Sequence, residues 1–130
     1  MHADKTNTIT EAVLSAAFEV SNKLGAGFLE KVYRRALIQE FKLRGIRASE
    51  EVSFSIAYKG SVVGQYFADL LVEGEVVVEL KCVDSFSKEH MAQCINYLKA
   101  SGRTVCLLLN FQRTRVEYKR IVHEFEPELS

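Results

Sequence analysis

The chain has 130 residues, 48% hydrophobic and 26% charged, which suits one globular domain over residues 1–130. Lysine plus arginine equals aspartate plus glutamate at 17 each, so the formal net charge is zero, which argues against a general basic coat for nucleic acid while leaving a local basic groove open. No apolar stretch is long enough to span a bilayer, and Met1 to Lys5 lacks a signal-peptide core, so a cytoplasmic protein with no membrane partner is expected.

Thr8-Ile9-Thr10-Glu11 fits a capping box, with Thr8 as cap and Glu11 reaching back. Ile9, Val13, Ala16, Ala17, Val20 and Leu24 then recur at helical spacing, and Gly25 is a suitable stop. A second helix is expected from near Phe28 to Gly45, with Leu29, Val32, Tyr33, Ala36, Leu37 and Phe41 on its apolar face. Glu30 falls near its start, where the helix dipole favours a carboxylate. On spacing alone, Glu30 is a first-turn charge.

From about Glu51 the pattern turns to strands. Val52, Phe54 and Ile56 alternate with Ser53, Ser55 and Ala57, and Tyr58-Lys59-Gly60-Ser61 is a turn. The next strand runs through Val62, Val63, Tyr66 and Phe67 to Asp69. Val76, Val77 and Val78 form a β-branched run suited to a strand covered on both faces. Glu79 and Lys81 close this run. Their spacing of two puts both on one face, where burial demands a partner or a metal. With Asp69 on the preceding strand, two carboxylates and an ammonium converge as a site for a hard divalent cation and an activated water would require. The bland alternative is a surface hairpin with incidental salt bridges.

Ser85 or Ser87 can cap a third helix from about Lys88 to Ala100, closed by Gly102. Its apolar stripe is Met91, Ile95 and Leu98. Gln93 and Tyr97, four apart, share a face. Val105 to Leu109 is a fully apolar strand, expected parallel to the 75–82 strand because a helical crossover joins them. Arg115 to Val122 alternates basic and apolar residues as a half-exposed edge. Cys82, Cys94 and Cys106 are odd in number and form no C-x-x-C, so reduced core thiols are expected. The order is ααβββαββ, an α/β arrangement with a mixed sheet flanked by helices.

Asp69, nine intervening residues, then Glu79-Leu80-Lys81 resembles the signature of the PD-(D/E)xK nuclease superfamily, with its restriction-endonuclease-like core. Gln93-Cys94-Ile95-Asn96-Tyr97 resembles the Q-x-x-x-Y motif on the crossover helix of the RecB and lambda-exonuclease branches. Gly27-Phe28-Leu29-Glu30-Lys31-Val32-Tyr33 is similar to the G-x-x-E-x-x-Y motif of the bacterial GxxExxY proteins, as are His90-Met91-Ala92-Gln93 and Leu107 to Phe111. The likeness runs from about Thr8 to Val122. The chain departs from the family pattern at Ser55, where proline is common, and at Gln112, where glycine often follows Asn-Phe.

The resemblance implies a nuclease that hydrolyses phosphodiester bonds of nucleic acid, DNA foremost, with Mg²⁺ or Mn²⁺. It implies Asp69, Glu79 and the Leu80 carbonyl as metal ligands, with Glu30 completing the shell directly or through water. Lys81 would orient the attacking water or stabilise charge on phosphorus. Gln93 and Tyr97 would position substrate or supporting groups. His90 would do likewise, or simply pack. Arg113, Arg115, Lys119 and Arg120 would contact phosphates, or form a solvated edge. The competing expectation is a non-catalytic nucleic-acid-binding or assembly module on a nuclease scaffold. A third is a subunit of a larger nucleic-acid-processing complex, with a homodimer paired through an edge strand as its minimal form.

One constraint follows from register. A two-residue Glu73-Gly74 loop would pair Asp69 with Val78 and turn Glu79 to the opposite face. A shared site therefore requires a three-residue loop with Gly74 left-handed, or a bulge between Asp69 and Glu79.

Overall fold

The computed structural model describes residues 2–124. Two helices, α1 (His2–Leu24) and α2 (Glu30–Leu43), precede the strands β1 (Ala48–Tyr58), β2 (Ser61–Val72) and β3 (Val76–Lys81). Helix α3 (Lys88–Ser101) and the strands β4 (Val105–Asn110) and β5 (Glu117–Val122) follow. The expected order ααβββαββ is the observed one. Five strands form one mixed sheet in the order β1-β2-β3-β4-β5. Only β3 and β4 are parallel, because α3 carries the chain between them.

The sheet is covered on both faces. Leu70, Val72, Val76, Val78, Leu80, Val105, Leu107 and Leu109 meet Val13, Ala16, Ala17 and Val20 of α1 and Tyr33, Leu37 and Phe41 of α2. The opposite face, with Leu71, Val77, Cys106 and Leu108, packs on Cys94 and Leu98 of α3. This two-sided burial explains why β3 and β4 are continuous apolar runs. Cys94 and Cys106 are buried free thiols, and Cys82 is a half-buried one.

Several boundaries differ from expectation: α2 runs Glu30–Leu43 rather than from near Phe28 to Gly45, and β1 starts at Ala48 rather than near Glu51. Helix α1 begins at His2, so Thr8 is no cap; its hydroxyl donates to the Asp4 carbonyl one turn back at 2.9 Å. A helical threonine satisfies itself in this way, so T-x-x-E fits a helix interior as well as a capping box. At the other end of the chain, β5 starts at Glu117 rather than Arg115. Helix α3 matches its expected caps: Ser87 at the start and left-handed Gly102 at the end.

The β2–β3 hairpin settles the register. Val72 pairs with Val76, Leu71 with Val77 and Leu70 with Val78. The loop is therefore the three residues Glu73-Gly74-Glu75, with Glu75 N–H donating to the Val72 carbonyl at 3.0 Å. Gly74 is left-handed at φ 67°, the conformation glycine adopts without steric cost. Continued one step, this register sets Asp69 opposite Glu79, as a shared site requires.

Candidate active site

Regular pairing of β2 with β3 stops at Leu70↔Val78, and the next two carboxylates replace the ladder. Asp69 N–H donates to Glu79 Oε1 at 3.2 Å, and Leu80 N–H donates to Asp69 Oδ2 at 2.8 Å. Each acidic side chain thus occupies a backbone donor of the other strand. Strand alternation also breaks here. Ala68 and Leu71 both face α3, whereas Leu70 faces α1 and α2. Across β1, the register places Glu51 opposite Asp69, and Glu51 is itself left-handed at φ 50°. This local twist brings the Asp69 carboxylate to the sheet's opening, within reach of both helical layers.

Glu79 is 5% exposed. Burial, reinforced by the negative charge of Asp69, pushes its carboxyl up to about 9. In the metal-free protein the carboxyl therefore favours its protonated form at neutral pH. Tyr97 of α3 lies in the same field; burial first, then Glu79 and Asp69, raise its hydroxyl to about 12. Its ring packs on Tyr66 with centroids 4.1 Å apart. Gln93, one turn earlier on α3, is exposed. Lys81 is half-buried and shares the Glu79 face by strand alternation. Its positive charge helps lower the Cys94 thiol, after the hydrogen bond from Cys106.

On the α2 side, Glu30, Lys31, Arg34, Asp69 and Leu80 line a cleft of about 100 Å³. Glu30 is exposed at the first turn of α2. Its placement depends on Tyr33, which is fully buried and stacked on Phe111 at 4.7 Å. The Tyr33 hydroxyl donates to the Gly25 carbonyl at 2.6 Å and accepts from Phe28 N–H at 3.2 Å. Gly27, at φ 107°, lets the intervening loop turn. The glycine, glutamate and tyrosine of the motif thus form one unit, in which the tyrosine fastens the loop that aims the glutamate. Tyr33→Phe keeps the ring stack but removes both hydrogen bonds. It should lower stability by about 1–3 kcal/mol in denaturant titration.

Five further residues have structural roles. His90 Nδ1 accepts from Ser87 N–H at 3.1 Å, completing a capping box with the Ser87 hydroxyl, so His90 begins α3 and packs. Buried Asn110 pairs with Lys81 across β3–β4, donates to the Val83 carbonyl at 2.8 Å and accepts from Val83 N–H at 3.1 Å. It fixes the chain leaving Lys81, a role invisible in the sequence. On the far edge, Arg113 pairs with Glu117, Arg115 lies over Phe18 and Arg120 donates to Asn7. These cations already have protein partners.

The donor set suits a hard cation with an open shell: two carboxylates, each accepting a backbone N–H of the opposite strand, meet at a strand opening. Among the described residues, no three His, Cys, Asp or Glu side chains form a group able to hold a metal ion. An ion here would lie in an open shell rather than a closed cage.

The sequence pattern of the PD-(D/E)XK nuclease superfamily matches residues 7–121. The chain belongs to that superfamily. Nucleases of this superfamily generally use divalent metals. The fold is similar to that of SSO0001, with a TM-score of 0.55 and 20% identity over 74% of this chain and 50% of that one. It is also similar to an alkaline exonuclease (LHK-Exo) from Laribacter hongkongensis, with a TM-score of 0.52 and 16% identity over 72% of this chain and 55% of that one. The chain spans about half the length of these solved structures. No curated protein sequence matches it. Among the described residues, no helix is long and apolar enough to cross a membrane.

Proposed function

We propose that this nuclease-superfamily chain hydrolyses phosphodiester bonds of nucleic acid, DNA foremost, with Mg²⁺ or Mn²⁺ at Asp69 and Glu79. The observation that carries this reading is the pair of carboxylates, each accepting a backbone N–H of the other's strand, where β2 and β3 separate. Glu79 is too buried to ionise readily without a nearby cation. Asp69, Glu79 and the Leu80 carbonyl would hold the ion, and Glu30 would support it from the cleft wall, directly or through water. The ion would supply an acidified water and neutralise phosphate charge. Lys81 orients the attacking water and stabilises charge building on phosphorus. Gln93 and Tyr97 position substrate from the α3 side. Gly27, Glu30 and Tyr33 further support membership of the GxxExxY group. We also infer one domain over residues 1–130, working in the cytoplasm.

Incubation with single- and double-stranded DNA and RNA, first with Mg²⁺ or Mn²⁺ and then with chelator, tests the activity. Cleavage that chelator stops is expected. Binding without cleavage would instead support a non-catalytic nucleic-acid module. Metal binding is checked separately by thermal melting. Mn²⁺ should raise the melting temperature by mass action, and Glu79→Ala should remove most of that rise. Equal calorimetric Mn²⁺ binding by the wild type and an Asp69→Ala, Glu79→Ala double variant would sink the assignment.

A further inference from the structure

Arg34 belongs to the cleft but to none of the motifs. It lies four residues after Glu30, on the same face of α2. It lines the same cleft as Glu30, Asp69 and Leu80. Three carboxylates surround its guanidinium: Glu51 at 3.5 Å, Glu50 at 3.7 Å and Asp69 at 4.0 Å. All three distances exceed the roughly 2.7–2.9 Å of a close charge-assisted pair. The side chain is 21% exposed, yet its Nε is buried without a hydrogen-bond partner. Left-handed Glu51 adds to the same cluster, and such backbone strain persists where the surroundings hold it.

An arginine serving only as a structural tie would be expected to spend its N–H groups on close partners. Here the charge is held in place while donor capacity remains. A guanidinium presents a rigid planar fork that matches phosphate oxygens. We propose that Arg34 is the phosphate-binding cation of this cleft, gripping a non-bridging oxygen of a nucleic-acid phosphodiester beside Asp69. The inference rests on the phosphodiesterase reading above and adds a substrate-contacting residue to it. Because Arg34 also faces the Asp69 carboxylate, it opposes a divalent cation at the same site until substrate engages it.

These two effects have opposite signs, which separates phosphate binding from a structural role. Calorimetric Mn²⁺ titration and binding of a fluorescein-labelled DNA duplex, in a cleavage-blocking Lys81→Met background, are compared with and without Arg34→Met. Arg34→Met should tighten Mn²⁺ several-fold. It should weaken the duplex about tenfold and lower the salt slope by about one phosphate contact. Arg34→Lys should retain part of the duplex affinity, because it keeps the charge but loses the fork. It also serves as the reporting variant should Arg34→Met fail to fold by circular dichroism. Weaker binding of both Mn²⁺ and duplex, or an unchanged salt slope, overturns the inference in favour of a structural clamp. A parent protein that binds neither Mn²⁺ nor duplex overturns the proposed function, and this inference with it. A parent that binds both, with an Arg34→Met variant indistinguishable from it, overturns this inference alone.

Discussion

Lys81→Met should abolish detectable cleavage while leaving metal binding and folding close to wild type. Lys81 ends β3, two residues beyond Glu79 and on the same face. Its side chain is half-buried, so methionine can follow the aliphatic stem without opening a cavity. The substitution removes a positive charge positioned for the transition state but touches neither carboxylate. Loss of one such preorganised group costs about 10²–10³-fold in turnover. The check is a steady-state cleavage assay beside a Mn²⁺ titration on the same preparation. Cleavage at the wild-type rate would assign the activity to other residues or to a contaminant. Asn110 supplies a useful contrast. It anchors both backbone groups of Val83 and pairs with Lys81 across β3–β4. Asn110→Ala should therefore lower stability together with activity, whereas Lys81→Met separates the two.

Much of the frame that carries Lys81 is legible in the sequence, and for physical reasons. A strand buried on both faces favours apolar residues, so the run Val76, Val77, Val78 and the stretch 105–109 stand out. The hairpin register could be deduced because alternation leaves one way to bring Asp69 and Glu79 together. Other features depend on partners distant in sequence. Tyr33 looks like one more apolar helix position, and only the fold shows its hydroxyl between Gly25 and Phe28. Arg34 gains its meaning from Glu50, Glu51 and Asp69, all on strands that sequence spacing could not place beside α2. The twist at Asp69 was equally hidden. Left-handed geometry at Glu51 has no marker when the residue is not glycine or asparagine. The early start of α1 has no distinct marker, because the same threonine pattern satisfies both a cap and a helix interior.

Glu79→Gln should make the metal-free protein more stable at neutral and alkaline pH while removing its response to metal. The sign follows from proton linkage. Burial raises the folded-state value of Glu79 to about 9, against 4.5 for the ordinary carboxyl. Between those values the folded protein holds a proton that the unfolded chain releases. Stability from this group is full below about pH 4.5 and is lost as pH rises toward about 9. The loss is at most about 1.4 kcal/mol per pH unit for one proton. Glutamine stays neutral at every pH and nearly matches the shape, so it removes that part of the slope. A divalent ion bound as proposed should reverse the balance in the wild type, by displacing the proton and taking the carboxylate as ligand. Apparent Mn²⁺ affinity should accordingly rise by up to about tenfold per pH unit between neutrality and the Glu79 value, with one proton released per ion bound. Glutamine offers a neutral oxygen and no proton to release. Melting curves from pH 5 to 9, in chelator and in Mn²⁺, test both halves. In chelator the wild type should lose stability relative to Glu79→Gln as pH rises. In Mn²⁺ the wild type should recover it and the variant should not. Parallel wild-type and variant curves in chelator would mean that Glu79 is not held protonated by burial. An undiminished Mn²⁺ shift in the variant would move the ion away from Glu79.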